Sequence, residues 1–177
     1  MQTLQTDRDR LQARLPDMID LLKTLVNIDS GSLDVEGVNA VGRVLAERLS
    51  GLGFAMRSRT LPVAERGTML IAEKQGAGKV KLLILGHLDT VWPRGTVSEW
   101  PFQLLEKGLA TGPGVGDMKG GLVMALHVLD LLAQQNFNEL ALIKWVLVPD
   151  EELGSVGSRP LIEEEALGMD AVLVLEP

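Results

Sequence analysis

The sequence predicts an α/β fold whose sheet is largely parallel, and three observations predict it. The apolar runs at 80–85 (VKLLIL), 140–148 (LALIKWVLV) and 171–175 (AVLVL) have the length and bounding turns of buried strands. Segments of helical periodicity alternate with them, and strands alternating with helices imply parallel neighbours. Each run also ends in metal-binding or proton-carrying side chains: His87 and Asp89 after the first, Asp150, Glu151 and Glu152 after the second, Glu176 after the third. The carboxyl ends of strands are where ligands collect in open α/β sheets.

The elements follow in order. Leu11, Leu15, Met18, Leu22, Leu25 and Val26 recur at helical spacing, and Pro16 either starts that helix or kinks it. Residues 27–32 (NIDSGS) read as a loop. Asp34 is a candidate cap for a second helix, with Val38, Val41, Leu45, Leu49 and Leu52 on one face and Gly51 and Gly53 at its end. Strand signals lie at 54–60 and 68–73, and 75–79 (QGAGK) is a turn leading into the run at 80–85. Residues 91–116, rich in proline and glycine, predict a short strand near 102–106 and otherwise loop, and a loop of that length in a compact domain is usually functional. Asp117 precedes an apolar helix over 120–133, and a short helix is expected over 156–166.

With 177 residues, 46% of them hydrophobic, the chain is long enough for one domain with a sizeable core and too apolar to be disordered. Its net charge of −7 argues against nucleic acid and anionic membranes as partners. The absence of cysteine excludes disulfides and thiolate metal sites. The N-terminus has no apolar signal region, and no uncharged stretch approaches the roughly 18 apolar residues of a membrane span. A cytoplasmic protein with no nucleic-acid or membrane partner is the expectation.

The candidate chemistry rests on a conjunction. His87 and Asp89 are two residues apart, so in a strand they share a side, and Asp89 could hold the His87 ring for metal binding. Alone, His87 also fits an ordinary histidine after a strand, and Asp117 fits a helix N-cap. The glycines before Asp117 match no phosphate loop. Asp150, Glu151 and Glu152 crowd like charges unless cations or protons compensate, although an acidic helix start reads the same way. One of Glu151 and Glu152 could bind metal while the other takes a proton from water. Glu176 alone fits a solvated strand end. Together, these element ends suggest a carboxylate and imidazole set suited to Zn²⁺ in an open site. His127, inside the apolar helix, is expected to be a packing residue.

The strings LGHLDTVWP at 85–93, TGPGVGDMKGG at 111–121, PDEELGS at 149–155 with VGSR at 156–159, and LEP at 175–177 resemble the M20 family of zinc metallopeptidases, its glutamate carboxypeptidase-like branch above all. The resemblance implies a three-layer zinc-peptidase-like domain, helices flanking a mostly parallel mixed sheet. It implies two zinc ions: His87 and Glu176 on one, Glu152 helping to hold the other, Asp117 bridging, Glu151 as general base and Asp89 orienting His87. A cis peptide between Asp117 and Met118 is implied as well. The substrate implied is a small peptide or an N-acyl amino acid, with release of a C-terminal glutamate the more specific expectation. The family continues into a lid and dimerisation domain and a further zinc-binding histidine. Residues 1–177 are therefore expected to be the N-terminal part of the catalytic domain, ending before the lid, with the second zinc short of a ligand and a homodimer possible only with the lid. The expected corollaries are an unpaired apolar edge at 171–175, self-association and little activity of the isolated chain. The alternative expectation is a non-catalytic metal-binding fragment.

Overall fold

The computed structural model describes residues 2–177, without the side chains of residues 2–4 and Lys107. In chain order the elements are α1 (Gln2–Ala13), α2 (Leu15–Val26), α3 (Val35–Gly51), β1 (Ala55–Thr60), β2 (Thr68–Gln75), β3 (Val80–His87), α4 (Thr96–Glu99), β4 (Gln103–Leu104), β5 (Ala110–Thr111), α5 (Gly121–Gln134), β6 (Leu140–Val148), α6 (Arg159–Ala166) and β7 (Ala171–Val174).

Five strands form one mixed sheet in the order β1-β2-β6-β3-β7. β3 runs parallel to both β6 and β7, while β2 is antiparallel to β1 and β6. The parallel half therefore carries all three predicted ligand-bearing strand ends. Parallel neighbours need long crossovers, and α5 and α6 supply them. β6 is apolar but for Lys144, which pairs with Glu165, because both of its faces are covered. Trp145 and Leu147 face the core under α2, α3 and α5, with Leu45, Leu122 and Leu126. Val146 and Val148 face the second core, where Leu161 and Ile162 of α6 pack with Ile71 and Leu83. The result is three layers.

Local chemistry explains most element boundaries. The chain breaks at Arg14, and Pro16 lies in the first turn of α2, where a missing N–H leaves no bond unmade. Asp34 caps α3 by accepting from the Gly37 N–H at 3.0 Å. Arg94 grips the same carboxylate at 2.9 and 2.7 Å, which holds the Asp34 pKa below its usual value. Leu52, expected on the face of α3, lies just past its end. The 91–116 segment contains α4 and the β4–β5 ribbon, whereas the sequence predicts a single short strand there. Asp29 ties this segment to the 27–32 loop by accepting from the N–H groups of Gly95 and Val97 at 2.7 and 3.0 Å. These elements are too short to show a period.

β7 pairs with β3 alone among the described strands, and Val172, Leu173 and Val174 are about half exposed. Its apolar run thus marks a sheet edge rather than a covered strand. No helix is long and apolar enough to cross a membrane, judged over the described residues.

Behind the sheet, Glu165 is nearly buried and accepts hydrogen bonds from Arg57 and, at 2.8 Å, from Lys144. The Arg57 hydrogen bond outweighs burial and, with Lys144, lowers the Glu165 pKa to about 2. A depressed carboxylate stabilises the fold above its unfolded value, and that contribution fades as pH falls through the folded one. Glu165→Gln is expected to cost about 2–3 kcal/mol at pH 7, the range for hydrogen bonds to charged groups. The gap from the parent should shrink steadily between pH 4.5 and 2 in thermal or urea unfolding. A gap that stays constant across this window would show that the charge of Glu165 adds nothing.

Candidate metal centre

The site is assembled from the C-terminal ends of β3, β6 and β7 together with the glycine-rich turn before α5. His87 closes β3 and is fully buried. Its Nδ1 lies 2.9 Å from the backbone oxygen of Asp89. A carbonyl only accepts, so Nδ1 carries a proton and Nε2 turns toward the site. Nε2 lies 2.9 Å from Asp117 Oδ1 and 3.6 Å from Glu176 Oε1. The candidate ligand atoms of His87, Asp117 and Glu176 all lie within 4.8 Å of one another.

Asp117 reaches this position because the chain departs from helical geometry there, with φ −108° and ψ 104°. The Asp117–Met118 peptide is cis, as the resemblance implies. Asp117 is therefore not the cap of α5, which starts four residues later. Gly114 has φ of +70°, and a Cβ on it would meet Thr90 Cγ2 at 2.5 Å, so glycine is required for this turn to close on the β3 end. Met118 is buried beneath, its sulfur accepting from the His87 N–H at 3.0 Å. Glu176 is aligned by the ladder: Leu175 N–H donates to Leu85 at 3.1 Å, which sets the next residue beside His87.

Glu152 stands outside the trio but within its field. Burial raises its pKa, Asp117 raises it further, and His87 opposes. Glu176 is likewise raised by burial and by Asp117 and Glu151, against His87. Burial disfavours the charged form of His87, but hydrogen bonding and charge from Asp89, with Asp117 and Glu176 behind, lift its pKa to about 9. Protons thus hold the crowded acids together, and a cation at the same point would replace them. One imidazole with carboxylates and no thiolate is a donor set suited to zinc.

The acids after β6 divide. Asp150 is buried, and its Oδ2 accepts from the N–H groups of Gly157 and Ser158 at 2.7 and 3.3 Å. It closes the 150–158 loop, leaving Glu151 and Glu152 half exposed on the site side. Asp89 contacts the His87 ring and also holds the turn after β6. Its backbone oxygen takes the ring hydrogen bond, and its carboxylate lies 3.4 Å from Nδ1. That carboxylate accepts from Ser32 Oγ at 2.6 Å and from the N–H groups of Glu151 and Glu152 at 3.1 and 3.2 Å.

Two residues escaped sequence reasoning. Ser32 lies in a loop with no period, 57 positions from its partner. Lys119 is 1% exposed, donates to the Ile28 carbonyl at 3.0 Å, and is pushed down to about 8 by burial, against the charge of Asp29. A lysine between glycines at the head of an apolar helix was the available signal. His127 is half buried with its pKa lowered by burial and Arg14, and it lines a separate pocket with Thr24, Val44 and Arg48. A pocket of about 550 Å³ opens beside the centre, lined by Ser32, Leu33, Thr90, Val91, Glu152 and Leu153 among others.

Residues 83–177 match the family described as peptidase family M20/M25/M40. The chain is 40% identical over 163 residues to carboxypeptidase G2 of Pseudomonas sp. (strain RS-16), covering 92% of this chain and 39% of that protein. It is 30% identical over 174 residues to acetylornithine deacetylase of Proteus mirabilis (strain HI4320), covering 94% and 44%. Among solved structures, the M20 family metallo-carboxypeptidase Sso-CP2 from Sulfolobus solfataricus superposes with a TM-score of 0.73 at 25% identity, over 89% of this chain and 36% of that one. The chain thus spans less than half the length of each of these three proteins.

Proposed function

We propose, because this chain belongs to peptidase family M20/M25/M40, that it serves zinc-dependent hydrolysis of an amide bond in a small peptide or N-acyl amino acid. The observation that carries this reading is the trio His87, Asp117 and Glu176, whose ligand atoms lie within 4.8 Å of one another. In this reading His87 and Glu176 would hold one zinc ion, Glu152 would help to hold a second, and Asp117 would serve both. Bound zinc supplies a Lewis acid that polarises the scissile carbonyl and makes water easier to deprotonate. Glu151 is the general base: its carboxylate takes a proton from water and returns it to the departing amine nitrogen, so no net charge is left behind. Asp89 positions, by its carbonyl on His87 and its carboxylate on the Glu151–Glu152 turn.

The pocket beside Glu152, walled by Leu33, Val91 and Leu153, would receive the apolar flank of the amide. A carboxypeptidase and a deacetylase of an acetylated amino acid both cleave an amide next to a carboxylate-bearing residue. A C-terminal glutamate is the specific substrate proposed. Residues 1–177 are read as the N-terminal part of a peptidase catalytic domain, working in the cytoplasm, with no nucleic-acid or membrane partner. A homodimer is proposed only for a form that carries a lid domain.

One observation favours a second reading, a metal-binding unit that does not turn over by itself. Only Asp117 and Glu152 are assigned to the second cation, and the remaining histidine, His127, lines a different pocket. The test is glutamate release from N-acyl-glutamates by the zinc-loaded chain, with and without chelator. Chelator-sensitive release supports hydrolysis. Tight zinc binding without release supports the second reading. Failure to bind zinc removes both.

A further inference from the structure

The turn that presents Glu151 and Glu152 is short, and its two leading N–H groups share one acceptor, the carboxylate of Asp89. What aims that carboxylate lies on the opposite side, in the loop before α3. Ser32 is 6% exposed, and its hydroxyl donates to Asp89 Oδ2 at 2.6 Å, the short distance typical of a hydroxyl on a carboxylate. The same oxygen accepts from Glu152 N–H, while Oδ1 accepts from Glu151 N–H and lies 3.4 Å from His87 Nδ1.

The Ser32 loop is itself held in place. Thr90 N–H donates to Ser30 at 2.9 Å, and Gly31 forms an isolated parallel bridge with Thr90. A Cβ on Gly31 would stand 2.5 Å from the Trp92 carbonyl oxygen, so glycine is what lets the two segments approach. Asp34 N–H donates back to Gly31 at 2.7 Å and closes the loop. The hydroxyl of Ser32 is therefore fixed against Asp89 by main chain on both sides.

We propose that Ser32 is a positioning residue, whose hydroxyl aims the Asp89 carboxylate at the backbone of Glu151 and Glu152 and so sets the direction of both acids. What that direction is for rests on the hydrolase reading above. The physical link is independent of it. A carboxylate whose Oδ2 accepts from Ser32 as well as from Glu152 N–H is less free to rotate about its Cβ–Cγ bond or to exchange the N–H groups for water. Without the hydroxyl, the turn keeps its two bonds but loses the constraint on their acceptor.

The test uses Ser32→Ala and Ser32→Thr in the 177-residue chain. Ser32 borders a pocket of about 550 Å³, and Thr keeps the hydroxyl while changing the shape of the side chain. The first readout is amide hydrogen exchange in the metal-free protein. Ser32→Ala should speed exchange at Glu151 and Glu152 by about tenfold, as loss of a bond to a charged group implies, with amides of β2 and β6 unchanged. The second readout is zinc affinity by competition with a chromophoric chelator. Ser32→Ala should weaken it about 10–100-fold, the usual effect of removing support behind a ligand. Ser32→Thr should restore both. Unchanged exchange at the two glutamates would overturn the proposal, as would equal acceleration across β2 and β6, or a threonine variant that behaves like alanine. A parent chain that binds no zinc would remove the metal reading, and the exchange readout would still decide the role of Ser32.

Discussion

On the proposed reading, Glu151→Gln in a complete enzyme is expected to lower turnover of an N-acyl amino acid by about 10²–10⁴-fold, the usual range for a lost general base, and to leave bound zinc unchanged. The asymmetry follows from placement. Glu151 and Glu152 are adjacent on one turn, with both N–H groups on Asp89, so their side chains leave the turn in different directions. Burial and then the charge of Asp117 raise the Glu152 pKa, and Glu152 is assigned to the second cation in the proposed reading. Glutamine keeps the size and the acceptor oxygen of Glu151 but cannot take a proton. Turnover and zinc content should therefore separate, with Glu152→Gln losing zinc first. Turnover and zinc should be measured on the same preparations. Zinc lost from Glu151→Gln with a modest rate effect would mean that the two acids have exchanged roles.

The zinc affinity of the parent chain is expected to rise about tenfold per pH unit from pH 6.5 until it levels near pH 9, because His87 must shed its proton before Nε2 can bind a cation. The sign comes from the raised pKa. A histidine held at about 9 is protonated through the neutral range, so each unit of pH below that value multiplies proton competition by about ten. An ordinary histidine near 6.5 would give an affinity that levels off above neutrality. The same shift makes a contribution to the stability of the metal-free fold that is complete below pH 6.5 and lost as pH rises through about 9. Titration with zinc buffers between pH 6 and 8.5 measures the slope, and proton release on binding, close to one per site at pH 7.5, checks it. A flat affinity above pH 7 would mean that the carboxylates around His87 do not hold its proton.

Much of the architecture was legible in the sequence. The run at 140–148 coincides with β6, because a strand covered on both faces is largely apolar, its one charge, Lys144, being paired with Glu165. Asp34 was legible as a cap, since the short side chain and the apolar face that follows are local signals. The 91–116 segment was not, since α4, β4 and β5 are two to four residues long and are held by distant partners such as Asn27 and Asp29. The exposed edge at β7 was expected from the resemblance and not from the run's own residues. Its side chains match those of a buried strand, and exposure depends on what lies alongside.

By itself the sequence determined which residue types stand at the ends of β3, β6 and β7, and so that His87 and Glu176 would share an edge; Asp117, in the turn before α5, was expected beside them from the resemblance. Side-chain period is a local property, and long helical crossovers make neighbouring strands parallel, which brings their C-terminal ends to one edge. The tertiary structure alone decided how those groups are held. The Asp89 carboxylate faces Glu151 and Glu152 across more than 60 residues of chain, Ser32 reaches it from 57 residues away, and Glu152 lies outside the close trio. A hydrogen-bond acceptor has no period and no preferred neighbour in sequence. Its partner is whichever donor the packed layers bring within about 3 Å, and only folding settles that.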